Sequence, residues 1–163
     1  MTIKLSDGSI LEKFDYARID SDPLNKENSN TFIHEKLNEQ SALKCLYVGQ
    51  REYATVQQSD PHIDIIGSDD ATTCHIVLFV DENNGNSSLC HFDGSDLRGG
   101  VEAMIENLKI LANETSSTTY FLYIVGGFDD PPRSSFELTL QLFGMISLYF
   151  FMRFLLSLKI DFI

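Results

Sequence analysis

The sequence predicts one sheet-rich α/β domain, and three observations carry that expectation. Two runs, Cys74–Val80 and Tyr120–Val125, are almost wholly apolar, with β-branched or aromatic side chains at several positions, as in strands buried on both faces. Between them Val101, Met104, Ile105, Leu108 and Leu111 recur at helical spacing, so Leu97–Asn113 is expected as an amphipathic helix. A turn signal at Asn83-Asn84-Gly85-Asn86 then lets Ser88–Phe92 return as the hairpin partner of the first strand. With 163 residues, 43% of them hydrophobic, the chain has enough apolar surface for one real core, and it has no internal repeat.

The elements follow in order. Residues 1–42 form a polar segment rich in Asp, Asn, Ser and Lys, expected to pack loosely, with a loop at Asp20-Ser21-Asp22-Pro23 and a short helix beginning within Phe32–Leu37. The composition changes at Leu43. Leu43–Val48, Tyr53–Val56 and Ile63–Ile66 read as short strands, the last broken by Gly67-Ser68-Asp69-Asp70. After Tyr120–Val125 the chain reaches Gly126-Gly127, a pair suited to a tight turn or a close backbone approach. A final helix is expected from Ser134, just after Pro131-Pro132.

Charge narrows the function classes. The formal net charge is −12, and the 12 Lys and Arg are scattered, which argues against a nucleic-acid partner, since phosphate binding needs clustered cations. An acidic surface suits a soluble protein or a positively charged substrate. Three cysteines, Cys45, Cys74 and Cys90, with no signal-peptide pattern at Met1–Ile10, point to free thiols in a reducing compartment. No CxxC pair is present, so no metal site is expected.

Cys74 has two histidines within reach of its chemistry, His75 and His91. A free thiol is mostly protonated at neutral pH, so a nucleophilic cysteine needs an imidazole to take its proton and a third polar group to orient that ring. Side chains alternate along a strand, so His75 is expected to point away from Cys74. For His91 the hairpin register decides. A loop at Asp81–Asn84 would pair position 74 with 91. A two-residue turn at Asn84-Gly85 would instead set His91 opposite Leu78, about 13 Å along the strand at roughly 3.3 Å per residue. The geometry permits the pair without requiring it, and a lone cysteine in an apolar strand is more often inert core.

Four ordered stretches change that balance. They are Leu46-Tyr47-Val48-Gly49-Gln50-Arg51-Glu52, Ile66-Gly67-Ser68-Asp69-Asp70-Ala71-Thr72-Thr73-Cys74-His75-Ile76-Val77, His91-Phe92-Asp93-Gly94-Ser95-Asp96 and Val125-Gly126-Gly127-Phe128-Asp129-Asp130. Together they resemble the protein N-terminal asparagine amidohydrolases, over about Leu43 to Phe143. That family is similar, more distantly, to bacterial chemoreceptor deamidases and toxin deamidases. The resemblance therefore implies a layered α-β-β-α sandwich of the cysteine deamidase type, incomplete in this chain. It implies a cysteine, histidine and hydroxyl site at Cys74, at His91 seventeen positions later and at Ser68 six positions earlier.

The implied reaction hydrolyses the side-chain amide of an N-terminal Asn on a protein or peptide, giving Asp and ammonia through a thioester on Cys74, with no cofactor. Asp69 and Asp70 are candidates for binding the substrate's α-ammonium, and equally for forming a turn after Ile66. Asp93 and Asp96 read first as turn residues, and Cys45 and Cys90 as packed thiols. The resemblance further implies a place in the degradation pathway that reads protein N-termini and ends in ubiquitin-dependent catabolism. It implies a location in cytoplasm and nucleus, and a monomer when complete.

The expected organisation is thus a polar segment at 1–42, the N-terminal part of the amidohydrolase domain at 43–143 and an apolar tail at 144–163 outside the resemblance. That tail, GMISLYFFMRFLLSLKIDFI, admits three readings: a membrane span, a core helix, or an alternative terminus from translated intron sequence. Arg153 and Lys159 weigh against a span. Composition favours the third reading, and with it the expectation that the chain alone is neither stable nor active. The alternative function is then an inactive isoform with binding capacity at most.

Overall fold

The computed structural model describes residues 43–113, 119–127 and 131–152, together with the strands Ile3–Lys4, Ile10–Leu11 and Ser157–Phe162. In chain order the strands are β1 (Ile3–Lys4), β2 (Ile10–Leu11), β3 (Cys45–Tyr47), β4 (Tyr53–Val56), β5 (Ile65–Gly67), β6 (His75–Asp81), β7 (Ser87–Phe92), β8 (Thr119–Gly126) and β9 (Ser157–Phe162). Among the described residues the helices are α1 (Leu97–Ala112), between β7 and β8, and α2 (Ser134–Met152), between β8 and β9. The expected loop at Asp20–Pro23 and helix within Phe32–Leu37 lie outside the described residues.

One five-stranded sheet, ordered β4-β7-β6-β8-β9, organises the chain. It is antiparallel except where β9 joins β8 in parallel. Central position explains the sequence of β6: a strand with neighbours on both edges and cover on both faces buries nearly every side chain, so alternation disappears. By contrast β8 alternates, with Tyr120, Leu122 and Ile124 fully buried and the residues between them half-buried.

The helices cover one face. Val101, Met104, Ile105 and Leu108 of α1 and Leu138, Leu142, Phe143 and Ile146 of α2 pack with Val77, Phe79, Cys90, Phe92, Tyr120, Leu122 and Ile124 in a single apolar cluster. Burying one such Leu, Ile, Phe or Met side chain is worth about 1.5–3 kcal/mol, so this layer holds most of the hydrophobic stabilisation. Asp96 starts α1, its carboxylate accepting from the Gly99 amide at 3.2 Å, and Asn113 ends it in the left-handed conformation at φ 50°.

The opposite face carries a second β layer. Strands β3 and β5 pair in parallel, and Val48 and Ile66 from this pair pack with Ile76 and Leu89 of the main sheet. The expected α/β class is observed, with an α layer, a five-stranded sheet and a further β pair.

Two expectations change in detail. The β6–β7 register sets Ile76 opposite His91, which is neither of the two hairpin registers weighed from the sequence. The turn, Glu82–Gly85, is longer than two residues and lies one residue beyond the Asp81–Asn84 loop that would pair position 74 with 91. Asp81 donates its amide to the Asn86 carbonyl at 2.8 Å, and Gly85 turns in the left-handed region at φ 73°. The second change concerns the apolar tail. Gly144 lies inside α2, and Ile146 and Tyr149 continue the buried stripe past it. Tyr149 donates its hydroxyl to Glu106 of α1 at 3.0 Å. Among the described residues no helix is long and apolar enough to cross a membrane.

Candidate active site

All four ordered stretches meet at one end of the sheet. The antiparallel ladder brings the start of β6, the end of β7 and the end of β8 to the same edge, because His75 pairs with both Phe92 and Gly126. The β3 stretch arrives through Val48, whose amide donates to the Gly67 carbonyl at 2.8 Å, and through Gln50, which bridges His91. Arg51 locks the turn: its amide donates to the His91 carbonyl at 2.9 Å, and the His91 amide donates to the Glu52 carbonyl at 3.1 Å. Phe128–Asp130 lie outside the described residues.

His91 sits on the face away from the helices. It is buried at 4% exposure, and its Nδ1 is 2.8 Å from the Ser68 hydroxyl, just past the end of β5. Among the described residues its Nε2 has no hydrogen-bond partner. If Nδ1 carries the proton and donates it to Ser68, Nε2 is left with a free lone pair, the form a general base needs.

Cys74 directly precedes β6 and is half-buried. Its carbonyl accepts from the Gly127 amide at 3.1 Å, one step beyond the His75–Gly126 pair that ends the β6–β8 ladder. Alternation then puts Cys74 on the face of Ile76, which is the face of its register partner His91. Burial pushes the Cys74 thiol above its ordinary range; the Asp93 carboxylate adds to this and Arg51 opposes it. A thiol raised in this way would act as a nucleophile only with a base to take its proton.

His75 takes the other face, as alternation requires. It is 2% exposed, its Nε2 lies 2.8 Å from the Thr139 hydroxyl in α2, and burial lowers its pKa to about 4. A neutral ring walled into the helix layer cannot serve a thiol across the sheet.

The aspartates divide by role. Asp69 is exposed and accepts a 2.6 Å hydrogen bond from the Tyr47 hydroxyl, which raises the Tyr47 pKa above its usual value. Asp70 is exposed and turns at φ 55°, its carbonyl accepting from the Thr72 amide at 3.0 Å. Asp96 caps α1. Asp93 does more than turn the chain. Its Oδ1 accepts from the amide and hydroxyl of Ser95 and its Oδ2 from Arg51 Nε and Gln50 Nε2, so both oxygens are engaged. The two Ser95 hydrogen bonds, then Arg51, hold its carboxyl well below the usual range.

The family model described as Protein N-terminal asparagine amidohydrolase matches residues 35–149, well over half of the chain and all of this site. The chain belongs to this family. Its sequence is 42% identical over 97 residues to the protein N-terminal asparagine amidohydrolase of Mus musculus, covering 60% of this chain and 31% of that relative. The Homo sapiens relative is 41% identical over the same length and shares. The relative from Arabidopsis thaliana is 29% identical over 108 residues, 65% of this chain and 30% of its own. The chain thus spans about a third of the length of the curated amidohydrolases it matches.

For a chain of this family, three sets of contacts escape sequence reasoning. Arg51 and Gln50 stand in the first of the four ordered stretches, yet nothing local says that they reach Asp93, 42 and 43 residues on. Tyr47 reaches Asp69 in the same unseen way. Ser135 and Thr139 leave a fainter trace, being polar residues at i and i+4 on the stripe that otherwise buries Leu138 and Leu142. Among the described residues no group of three metal-binding side chains occurs.

Proposed function

We propose that this chain carries the cysteine site of an amidohydrolase that converts an N-terminal Asn of a protein or peptide to Asp. The observation that carries the proposal is the Ser68–His91 hydrogen bond of 2.8 Å, which leaves Nε2 unpartnered on the sheet face to which strand alternation assigns Cys74. Ser68 fixes the ring, His91 takes the thiol proton through Nε2, and Cys74 Sγ attacks the side-chain amide carbon. The tetrahedral adduct collapses as His91 returns that proton to the leaving nitrogen, and ammonia departs from a thioester. Water, deprotonated by the same nitrogen, then cleaves the thioester, giving Asp and the free thiol.

The α layer, the five-stranded sheet and the second β layer supply three layers of an α-β-β-α sandwich, and we take the fold to be of the cysteine deamidase type. Asp69 and Asp70, exposed within the same stretch as Ser68 and Cys74, suit the α-ammonium that only an N-terminal residue carries. The Asp product fits a role in N-terminal degradation in the cytoplasm and nucleus.

The test incubates the chain with a peptide beginning in Asn and follows ammonia release and conversion to Asp by mass. Turnover that disappears in Cys74→Ala, with a thioester trapped by hydroxylamine in the parent, supports the proposal. Turnover retained in Cys74→Ala would sink it.

A further inference from the structure

Behind Cys74, on the helix side of the sheet, the first turns of α2 hold both neighbouring residues. Ser135 donates its hydroxyl to the Thr73 carbonyl at 3.2 Å. Four residues on, Thr139 donates its hydroxyl to the Ser135 carbonyl at 2.9 Å. That hydroxyl has one proton, already committed to a carbonyl that can only accept. The 2.8 Å contact with His75 Nε2 therefore has the imidazole donating, which fixes His75 in its Nε2–H form. Ser135, Thr139 and His75 are all buried, at 1%, 6% and 2% exposure, so the two bonds of Thr139 do not compete with water, while the bond from Ser135 reaches an exposed Thr73.

Glycines make room for the arrangement. A Cβ at Gly127, which adopts φ 81°, would stand 2.7 Å from His75 Nε2, and a Cβ at Gly126, φ 106°, would overlap the Cys74 carbonyl oxygen. The Gly127 amide in turn donates to that carbonyl. Thr73, Cys74 and His75 are thus tied by three separate bonds to α2 and to the end of β8.

We propose that Ser135 and Thr139 are positioning residues for the nucleophile, a two-point clamp that sets the peptide units on either side of Cys74 from behind the sheet. The inference rests on the assignment of Cys74 as nucleophile. A half-buried thiol that must meet its base has little tolerance for drift, and misplacement of about 1 Å can cost on the order of a hundredfold in rate. Hydroxyl groups on an apolar helix stripe are otherwise a net cost, since Ala or Val would fill the same volume without them.

The test compares Thr139→Val, Thr139→Ser and Ser135→Ala with the parent chain. Native alkylation by iodoacetamide is followed separately at Cys74 and at Cys90, which is buried in the core, and turnover is measured on an Asn-starting peptide. In Thr139→Val, Cys74 is expected to alkylate at least about threefold faster while Cys90 is unchanged. The kcat should fall about tenfold at constant KM, the size of one lost hydrogen bond, and Thr139→Ser should restore both. Acceleration at Cys74 and Cys90 together, or none at Cys74, overturns the clamp. If Thr139→Val does not fold, Ser135→Ala is judged by the same two rates. Absence of turnover in the parent would count against the amidohydrolase assignment, and the alkylation pattern would still decide the clamp.

Discussion

Ser68 and His91 stand 23 residues apart in the chain and 2.8 Å apart in space, joined through the imidazole Nδ1. One lies just past a strand of the minor sheet and the other near the end of β7, so the bond exists only when the two β layers are packed. Val48, Ile66, Ile76 and Leu89 hold those layers together. The geometry of the candidate site is a product of core packing.

From that bond, Ser68→Ala should lower kcat by about tenfold to a hundredfold, and His91→Ala by 10²-fold or more, the usual range for loss of a general base. Turnover of an Asn-starting peptide measures both. A Ser68→Ala chain as active as the parent would show that His91 needs no orienting hydroxyl.

Cys74 should be the only cysteine required. Cys90 lies in the helix-side core, where burial pushes its thiol up to about 12, and Cys45 lies half-buried in β3. Cys90→Ala should cost about 1 kcal/mol of stability through lost packing and leave the chemistry intact. Thermal unfolding and ammonia release on the three single variants separate these effects.

Substrate choice gives a third expectation. With Asp69 and Asp70 exposed beside the site, acetylating the peptide's α-amine should remove most turnover, and Asp69→Asn and Asp70→Asn should raise KM more than they lower kcat. Equal rates on free and acetylated peptides would point instead to a general amidase for exposed Asn side chains.

His75 supplies a pH dependence whose sign is fixed by burial. Its pKa falls from 6.5 to about 4 in the folded chain, so between those values the unfolded chain binds the extra proton. The stabilisation from keeping the ring neutral is complete above pH 6.5, declines as pH falls, and is gone below about 4. At 1.36 kcal/mol per unit the loss is about 3 kcal/mol. Urea unfolding across this window should be steeper in pH for the parent than for His75→Gln. Parallel profiles would mean that His75 titrates normally in the fold.

Most of the element order is legible in the chain because it is local. Helical spacing from Val101 to Leu111 and the run Cys74–Val80 need no distant partner to be read. Alternation alone turns His75 away from the face of His91, and the structure sets it on the helix side against Thr139. The hairpin register is not legible: Asn83-Asn84-Gly85-Asn86 admits several turn lengths of similar cost, and the choice that sets Ile76 opposite His91 is made by how the whole strand packs. The same limit hides Arg51 against Asp93, and Thr139 against His75.

By itself, then, the sequence determined which residues are candidates for chemistry and which strands and helices bear them, since residue type and periodicity are properties of the chain alone. Only the tertiary structure decided who touches whom: the ring nitrogen that Ser68 holds, the four donors that engage Asp93, the helix that braces Cys74 from behind. Hydrogen bonds act over about 3 Å, and whether two groups 23, 42 or 64 residues apart come that close is settled by the burial of everything between them.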